Sequence, residues 1–414
     1  MRSTDLHFQI ILTCKRNILF VLMQVLILLG CQNIPGQTTS NSKDVGGNGL
    51  LFFLSSTLGS KPAYNWDLPA SFPTPSVPVE NPMTNEKVIL GRFLFYDKNL
   101  SQNQTQSCAS CHLQEFAFAD RKTFGVGSTG EAHPRNAQNL ANVAYNTRLT
   151  WSNNKMTSLE VQARGPMFGI TPIELGLTND TYLDRLKTDS RYKTLFSNAF
   201  GGGTENITEQ NVRFALSSFQ RTMISGKSKV DKYLNYGDKS SLSASAIRGL
   251  SVFNGETAEC FHCHGGFNYT NTVNHTGTVF PEVFYMSNGI ISDATYATLP
   301  SNKKGLYDVT LLTTDIGRFK APSLRNIALT YPYMHDGSIT CTTASPNDAD
   351  ACSTEALGKV IDHYMSGGQT QQNKDGQIRP FSLTPQEKTD LINFLKALTD
   401  DEFISNAKFS DPFK

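Results

Sequence analysis

Two short stretches decide how this chain folds: Cys108-Ala109-Ser110-Cys111-His112 and Cys260-Phe261-His262-Cys263-His264. Both follow the pattern C-x-x-C-H, in which two thiols reach both vinyl groups of one haem and the adjacent histidine ligates its iron. With eight cysteines and eight histidines in the chain, one such motif arises by chance in roughly three chains in a thousand. The sequence therefore predicts two covalently attached c-type haems.

Zinc is the alternative ligand for the same cysteines, because two C-x-x-C pairs supply four thiolates. A histidine directly after each pair favours haem. The motifs alone leave open whether either iron has a free position. If both irons are closed by strong protein ligands, the chain is a plain electron-transfer cytochrome without catalysis.

The motif recurs 152 residues later, from Cys108 to Cys260, which is about one domain length. A chain of 414 residues can close two cores. We therefore predict an N-terminal haem domain over residues 63–235 and a C-terminal haem domain over 236–414.

Apolar residues recur at helical spacing over 85–96, over about 209–225 and after Ser243. Thr384-Pro385-Gln386-Glu387 is a capping box with proline at the first helical position. The sequence has no long run of alternating apolar and polar residues that would predict a sheet. The expected fold is mainly α, with two c-type cytochrome domains, each around one covalently bound haem, and long ordered loops.

The N-terminus has the pattern of an export signal. Lys15 and Arg16 precede an apolar run over 18–29, which is short for a membrane span, and Leu28-Leu29-Gly30-Cys31 resembles a bacterial lipobox. We expect a signal peptide over 1–31, a lipid anchor at Cys31, a flexible tether over 32–62 and a membrane-anchored protein in the periplasm. An uncleaved membrane anchor and a buried core helix are the alternatives.

Export bears on the two remaining cysteines outside the motifs and the leader. Cys341 and Cys352 lie eleven residues apart in a stretch that is polar enough to be a loop. In an oxidising compartment a loop disulfide is favoured over two free thiols. The net charge of +1 gives no reason to expect a nucleic-acid partner.

About three quarters of the chain resembles the bacterial di-haem cytochrome c peroxidase family, which includes the methylamine utilisation protein MauG. The stretches that carry this resemblance run in family order, and they are Gly91–Ser101, Pro134-Arg135-Asn136, Trp151, Gln162–Pro166, Glu174, Phe319–Asn326 and Leu329–Gly337. The resemblance implies that hydrogen peroxide is reduced to water at the first haem, with electrons delivered through the second haem. It implies a small redox protein as donor, either a c-type cytochrome or a cupredoxin, and by analogy a homodimer.

The resemblance also assigns site residues. It implies that Glu174 is the carboxylate that relays the peroxide proton, that Gln162 lines the same pocket and that Trp151 lies between the haems. The alternatives are that Glu174 is an ordinary solvated carboxylate, that Gln162 lies outside the pocket and that Trp151 is a core aromatic. The matching calcium ligands are Asn136, Thr330 and Pro332, of which Asn136 could instead cap a turn.

Departures from the family pattern indicate the subtype. Ser128 stands where peroxidases that need reductive activation carry a histidine, so we expect an open first haem, with nearby His133 as the alternative ligand. Tyr364 aligns with the distal ligand of the second haem and resembles MauG, whereas a shift by one residue would make it Met365. The tyrosine favours a second hypothesis, that the enzyme oxidises residues of a partner protein as MauG does.

Overall fold

The structure is a computed structural model that describes residues 64–345 and 347–414. The predicted signal peptide over 1–31 with its anchor Cys31, and the predicted tether over 32–62, lie outside the described residues. In the part of the chain that is described, no helix is both long enough and apolar enough to cross a membrane.

Helices and loops make up the described chain. The α-helices are α1 Asn85–Tyr96, α2 Leu159–Gln162, α3 Arg164–Phe168, α4 Tyr182–Thr188, α5 Ser190–Phe200, α6 Glu209–Arg221, α7 Lys229–Asn235, α8 Ala244–Phe253, α9 Phe261–His264, α10 Asp293–Thr298, α11 Tyr307–Thr310, α12 Ala349–Met365, α13 Pro385–Lys396 and α14 Asp401–Ser405. Shorter 3₁₀ turns are Lys98–Leu100, Cys108–Ser110, Gln114–Phe116, Val143–Tyr145, Thr204–Asn206, Ser301–Lys303, Thr313–Asp315 and Ile327–Leu329. Strands β1 Tyr285–Met286 and β2 Phe319–Lys320 pair antiparallel, with Tyr285 opposite Lys320. The predicted mainly α fold is confirmed.

Local capping explains where several helices begin. The Thr384 side chain accepts a hydrogen bond from the Glu387 amide, and the Glu387 carboxylate reaches back to the Thr384 amide, so α13 starts at the predicted capping box. Ser243 caps α8 in the predicted place. Helix α1 has the predicted bounds. These boundaries are set by residues within one turn of the helix end.

Helix α6 ends at Arg221, four residues before the predicted end at 225. The Ser225 amide donates to the Asn142 side chain at 2.8 Å, and the Gly226 amide donates to the Asp400 carboxylate at 2.9 Å. These distant acceptors bind amides that a longer helix would pair with its own carbonyls. Tertiary contacts therefore end the helix.

Each half of the described chain contains one close helix crossing. In the first, α1 meets α6 so closely that a Cβ on Gly91 would lie 1.9 Å from the Ala215 carbonyl oxygen. In the second, α8 meets α13 and a Cβ on Gly249 would lie 1.9 Å from the Asp390 carbonyl oxygen. Only glycine permits such an approach. Each pair brackets one C-x-x-C-H motif, so the structural repeat matches the sequence repeat.

Two hydrophobic clusters accompany these crossings. The first lies around α1 and α6 and includes Phe403 and Phe409 from the C-terminal end of the chain. The second lies around α8, α12 and α13 and includes Val230. The clusters thus exchange residues across the boundary that we predict between 235 and 236, and this boundary stays a prediction.

The disulfide between Cys341 and Cys352 is present, which confirms that prediction. The expectation that both cysteines lie in a polar loop is wrong for Cys352, which is buried in the first turn of α12. Asp348 caps this helix by accepting from the Ala351 amide, and Glu355 accepts amide hydrogen bonds from the preceding loop. One polar residue of the stretch that we expected to be loop, Asp348, is therefore a helix-capping residue.

Candidate active site

Both C-x-x-C-H motifs fold into one helical turn. The His112 amide donates to the Cys108 carbonyl at 3.1 Å, and the His264 amide donates to the Cys260 carbonyl at 2.9 Å. Since residues three apart lie on the same side of a helical turn, the two cysteines of each motif face one side. The local fold therefore presents the thiols together, as thioether attachment to one porphyrin requires.

Each motif histidine is held by its Nδ1 atom. His112 donates from Nδ1 to the Phe118 carbonyl at 2.7 Å, and His264 lies with Nδ1 3.2 Å from the Tyr269 carbonyl and 3.1 Å from that of Pro322. Phe118 and Tyr269 have φ of +62° and +49°, an uncommon backbone conformation that turns their carbonyls toward the rings. This contact fixes the tautomer and leaves Nε2 available to a metal.

The protonation states also suit haem attachment. Burial lowers the pKa of His112, and burial lowers that of His264 to about 4, so both rings are neutral at pH 7 as an iron ligand must be. Burial raises the thiol pKa of Cys108 and Cys260 to about 12. The donors therefore fit covalently bound c-type haem on geometry and on charge.

The zinc alternative does not fit the structure. Within residues 64–345 and 347–414, no three side chains of His, Cys, Asp or Glu come together in an arrangement that could hold a metal ion. A zinc site built from both C-x-x-C pairs would require the two motifs to converge. Because they do not converge, each motif is left with the thiols and histidine that suit one haem.

Glu174 lies at the first motif, as the sequence analysis expects. Burial raises the pKa of its carboxyl to about 7, and its charge contributes, after burial, to the raised pKa of the Cys108 and Cys111 thiols. The side chain is 41% exposed, so the carboxyl keeps contact with solvent. A carboxyl that titrates near neutrality is suited to taking and returning a proton.

A tight turn over 125–133 packs against the Glu174 backbone. The Ser128 amide donates to the Glu174 carbonyl at 2.7 Å, and a Cβ on Gly127 would lie 1.7 Å from the Ile173 carbonyl oxygen. Glycine is therefore needed at position 127. By the family resemblance, Ser128 stands where peroxidases that need reductive activation carry a histidine. Its backbone amide holds it against Glu174.

The same turn brings His133 to Glu174. Its Nε2 lies 3.6 Å from Glu174 Oε1, and its amide donates to the Gly125 carbonyl at 2.8 Å. Gln162, by contrast, lies at the end of α2 and makes no side-chain hydrogen bond to Glu174 in the described chain. The structure thus brings Glu174, a predicted pocket residue, together with His133, and the place of Gln162 in the pocket stays a prediction.

The second motif faces a cavity of about 260 Å³ that Tyr364 also lines. Burial raises the Tyr364 pKa to about 12, and the Cys263 and Cys260 thiols add smaller contributions in the same direction. Met365 packs instead against the second hydrophobic cluster. Of the two alternatives for a ligand at this haem, Tyr364 is the one that lines the cavity.

Trp151, Asn136, Thr330 and Pro332 line this cavity as well. The Trp151 indole donates from Nε1 to the Asn136 carbonyl at 2.8 Å, and the Trp151 carbonyl accepts from the Lys320 amide at 2.8 Å. The Asn136 side-chain amide donates to the Lys122 carbonyl at 2.8 Å, which leaves its Oδ1 free to bind a cation. Trp151, which we predict between the haems, and the predicted calcium ligands therefore line the same cavity.

Two cavity residues were missed by sequence reasoning. The Asn288 side-chain amide donates to the Tyr364 hydroxyl at 3.2 Å and lies 3.4 Å from the Met334 sulfur. Lys320 is buried at the same cavity, where burial lowers its pKa to about 8. Asn288 is 76 residues from Tyr364. No local pattern could have paired them.

Comparison with known proteins agrees with this geometry. Residues 85–240 match the family model for di-haem cytochrome c peroxidase. The chain is 33% identical to the methylamine utilization protein MauG of Methylorubrum extorquens over 80% of its own length and 82% of that protein's. It is also 33% identical to the cytochrome-c peroxidase IdrP1 of a Pseudomonas species, over 81% and 86% of the two chains.

A solved structure resembles most of the chain. The crystal structure of a MauG-like protein associated with microbial copper homeostasis matches with a TM-score of 0.78 at 42% identity, covering 85% of this chain and 100% of that one. Family model, relatives and fold agree with the two haem motifs. The chain therefore belongs to the di-haem cytochrome c peroxidase family, an oxidoreductase family that implies haem c as cofactor.

Proposed function

We propose that this chain is a peroxidase that reduces hydrogen peroxide to water at the first haem, with electrons delivered through the second. The observation that supports this proposal most directly is the Glu174 carboxyl beside Cys108 and Cys111, which has a pKa of about 7. Haem iron ligated by His112 would supply peroxide binding and the two-electron chemistry. The chain's own residues supply the proton transfers.

Glu174 acts as both base and acid in this proposal. The overall reaction, H₂O₂ + 2H⁺ + 2e⁻ → 2H₂O, breaks the O–O bond. The carboxylate takes the proton from the inner peroxide oxygen and returns it to the outer oxygen, which leaves as water. A pKa of about 7 suits both steps, because neither protonation state is strongly favoured at neutral pH. We keep Gln162 as a proposed lining residue of the pocket, without a contact that supports it.

Electrons would pass from the second haem to the first by way of Trp151. Hydrogen bonds at its indole and at its carbonyl hold this side chain in place, which supports the role. A calcium ion bound by Asn136 Oδ1 and the carbonyls of Thr330 and Pro332 would stiffen the same region. The donor would be a small redox protein, either a c-type cytochrome or a cupredoxin.

Tyr364 supports a second function, oxidation of residues in a partner protein. A phenolate ligand stabilises ferric iron and higher oxidation states, whereas a thioether favours ferrous iron. Burial raises the Tyr364 pKa to about 12, and the Asn288 hydrogen bond lowers it by a smaller amount, so this function is supported by the position of Tyr364 in the cavity. Competition between a reduced cytochrome and a candidate partner protein would distinguish the two functions.

The location and assembly remain proposals. We propose that the protein acts in the periplasm, anchored by lipid at Cys31 after cleavage before that residue, and that two haem domains divide near 235. The Cys341–Cys352 disulfide supports an oxidising compartment. A homodimer is proposed by analogy alone.

Replacement of Glu174 by Gln tests the function. The variant keeps the size of the side chain and removes its proton chemistry, so we expect peroxide turnover to fall by about 10²–10⁴-fold with both haems retained. Glu115→Gln is the matched control, because Glu115 is exposed and lies three residues from the first motif. Unchanged turnover in Glu174→Gln, with intact haem absorbance, would remove the proposed role.

A further inference from the structure

His133 is the one titratable side chain outside the family pattern that an ion-pair contact joins to Glu174 within the described chain. Its Nε2 is 3.6 Å from Glu174 Oε1, and 32% of its side chain is exposed, so the ring contacts both the carboxyl and solvent. Its backbone amide donates a hydrogen bond to the Gly125 carbonyl, which fixes the backbone. The ring is therefore positioned to exchange protons with both sides.

The other ring nitrogen is placed to accommodate either protonation state. Nδ1 lies 3.1 Å from the Arg135 amide, which can donate to it, and 3.0 Å from the Arg135 carbonyl, which can accept from it. A neutral ring with its proton on Nε2 uses the amide, and a protonated ring uses the carbonyl. The ring can thus gain and lose a proton without leaving its position.

We propose that His133 relays protons between solvent and Glu174 during peroxide reduction, acting through Glu174 as a positioning and proton-transfer residue. This inference rests on the proposed function. Turnover consumes two protons for every peroxide reduced, and they come from solvent while the electrons come from the donor. Each of the two protons passes from solvent to His133, from His133 Nε2 to the Glu174 carboxylate, and from Glu174 to the inner peroxide oxygen, which becomes the second water once the two donor electrons have arrived.

Several charged groups face this pair. Burial lowers the pKa of His133, and the Arg135 cation, which lies 3.7 Å from Asp308, lowers it further. His112 contributes in the same direction. Glu131 accepts the Ile173 amide at 3.1 Å, next to Glu174. A ring with a lowered pKa returns a proton readily to a carboxylate whose pKa is raised to about 7.

His133→Gln tests the relay in the di-haem protein, because the amide can still donate toward Glu174 but cannot carry a proton. With hydrogen peroxide and reduced cytochrome c as probes, we expect kcat to fall roughly tenfold, less than for a group that transfers the proton itself. We expect the KM for peroxide to stay unchanged and added imidazole to restore kcat. His275→Gln, whose ring contacts the Thr276 carbonyl, is the control.

The outcomes separate the relay from the proposed function. An unchanged kcat in His133→Gln, alongside a large loss in Glu174→Gln, overturns the relay alone. An unchanged kcat in both variants overturns the proposed function as well. Conversion of the first haem from low-spin to high-spin in His133→Gln, seen by electron paramagnetic resonance, would make His133 an iron ligand and also overturn the relay.

Discussion

The raised pKa of Glu174 predicts an unusual pH dependence for the reaction with peroxide. The reactive form is the carboxylate, which is lost as the pH falls through the folded pKa of about 7. About one tenth of the protein then carries the carboxylate at pH 6 and about one hundredth at pH 5, whereas an ordinary glutamate with a pKa of about 4.3 is almost fully ionised at pH 6.

The second-order rate constant for hydrogen peroxide should therefore rise about tenfold per pH unit from pH 5 to near pH 7 and then level off. Stopped-flow absorbance of the oxidised protein, mixed with peroxide at each pH, measures it. The Glu174→Gln variant should be slow and flat over the same range. A flat profile in the unsubstituted protein between pH 5 and pH 8 would refute the argument from burial.

Three further predictions concern packing, charge and ligation. Gly249→Ala should lower the free energy of unfolding by about 1–3 kcal/mol, because the new Cβ meets the carbonyl of the facing helix. Asp231→Asn should cost about 3–5 kcal/mol, because Arg325, buried and paired with Asp231 at 2.8 Å, keeps its charge without a counter-ion; chemical denaturation measures both losses. Tyr364→Met should raise the reduction potential of the second haem in a redox titration, while Met365→Leu leaves it unchanged.

Matched controls make these tests specific. Gly376→Ala should cost little, because a Cβ there meets no atom within 4 Å. Asp67→Asn removes an exposed pair with Lys408 and should change stability by less than about 1 kcal/mol. A Gly249→Ala variant as stable as Gly376→Ala would contradict the close crossing. If the reduction potential of the second haem changed in Met365→Leu and not in Tyr364→Met, the ligand would be Met365 and not Tyr364.

Much of the fold could be predicted from local sequence patterns. Helix α1 and the starts of α8 and α13 were predictable, since capping residues act within one turn. The end of α6 was not, because Asn142 and Asp400, from distant positions in the chain, bind the amides of Ser225 and Gly226 just after the helix. Nor was the start of α12, because the polar residues before it resembled a loop and the capping role of Asp348 was not recognised.

The candidate site could also be predicted only in part. The motif residues and Glu174 follow from short patterns and a family resemblance. The contact between His133 and Glu174 could not be predicted, because it depends on how closely Gly127 lets the turn over 125–133 approach residue 173. The pairing of Asn288 with Tyr364 likewise arises only when two distant segments meet.

Intact mass spectrometry of the purified mature protein, produced in a host with the cytochrome maturation machinery, tests the central claim most directly. The account predicts the mass of the polypeptide plus two haem groups and a Soret band, with one haem lost when Cys108 and Cys111 are replaced and the other lost when Cys260 and Cys263 are replaced. The bare polypeptide mass without a Soret band would contradict it.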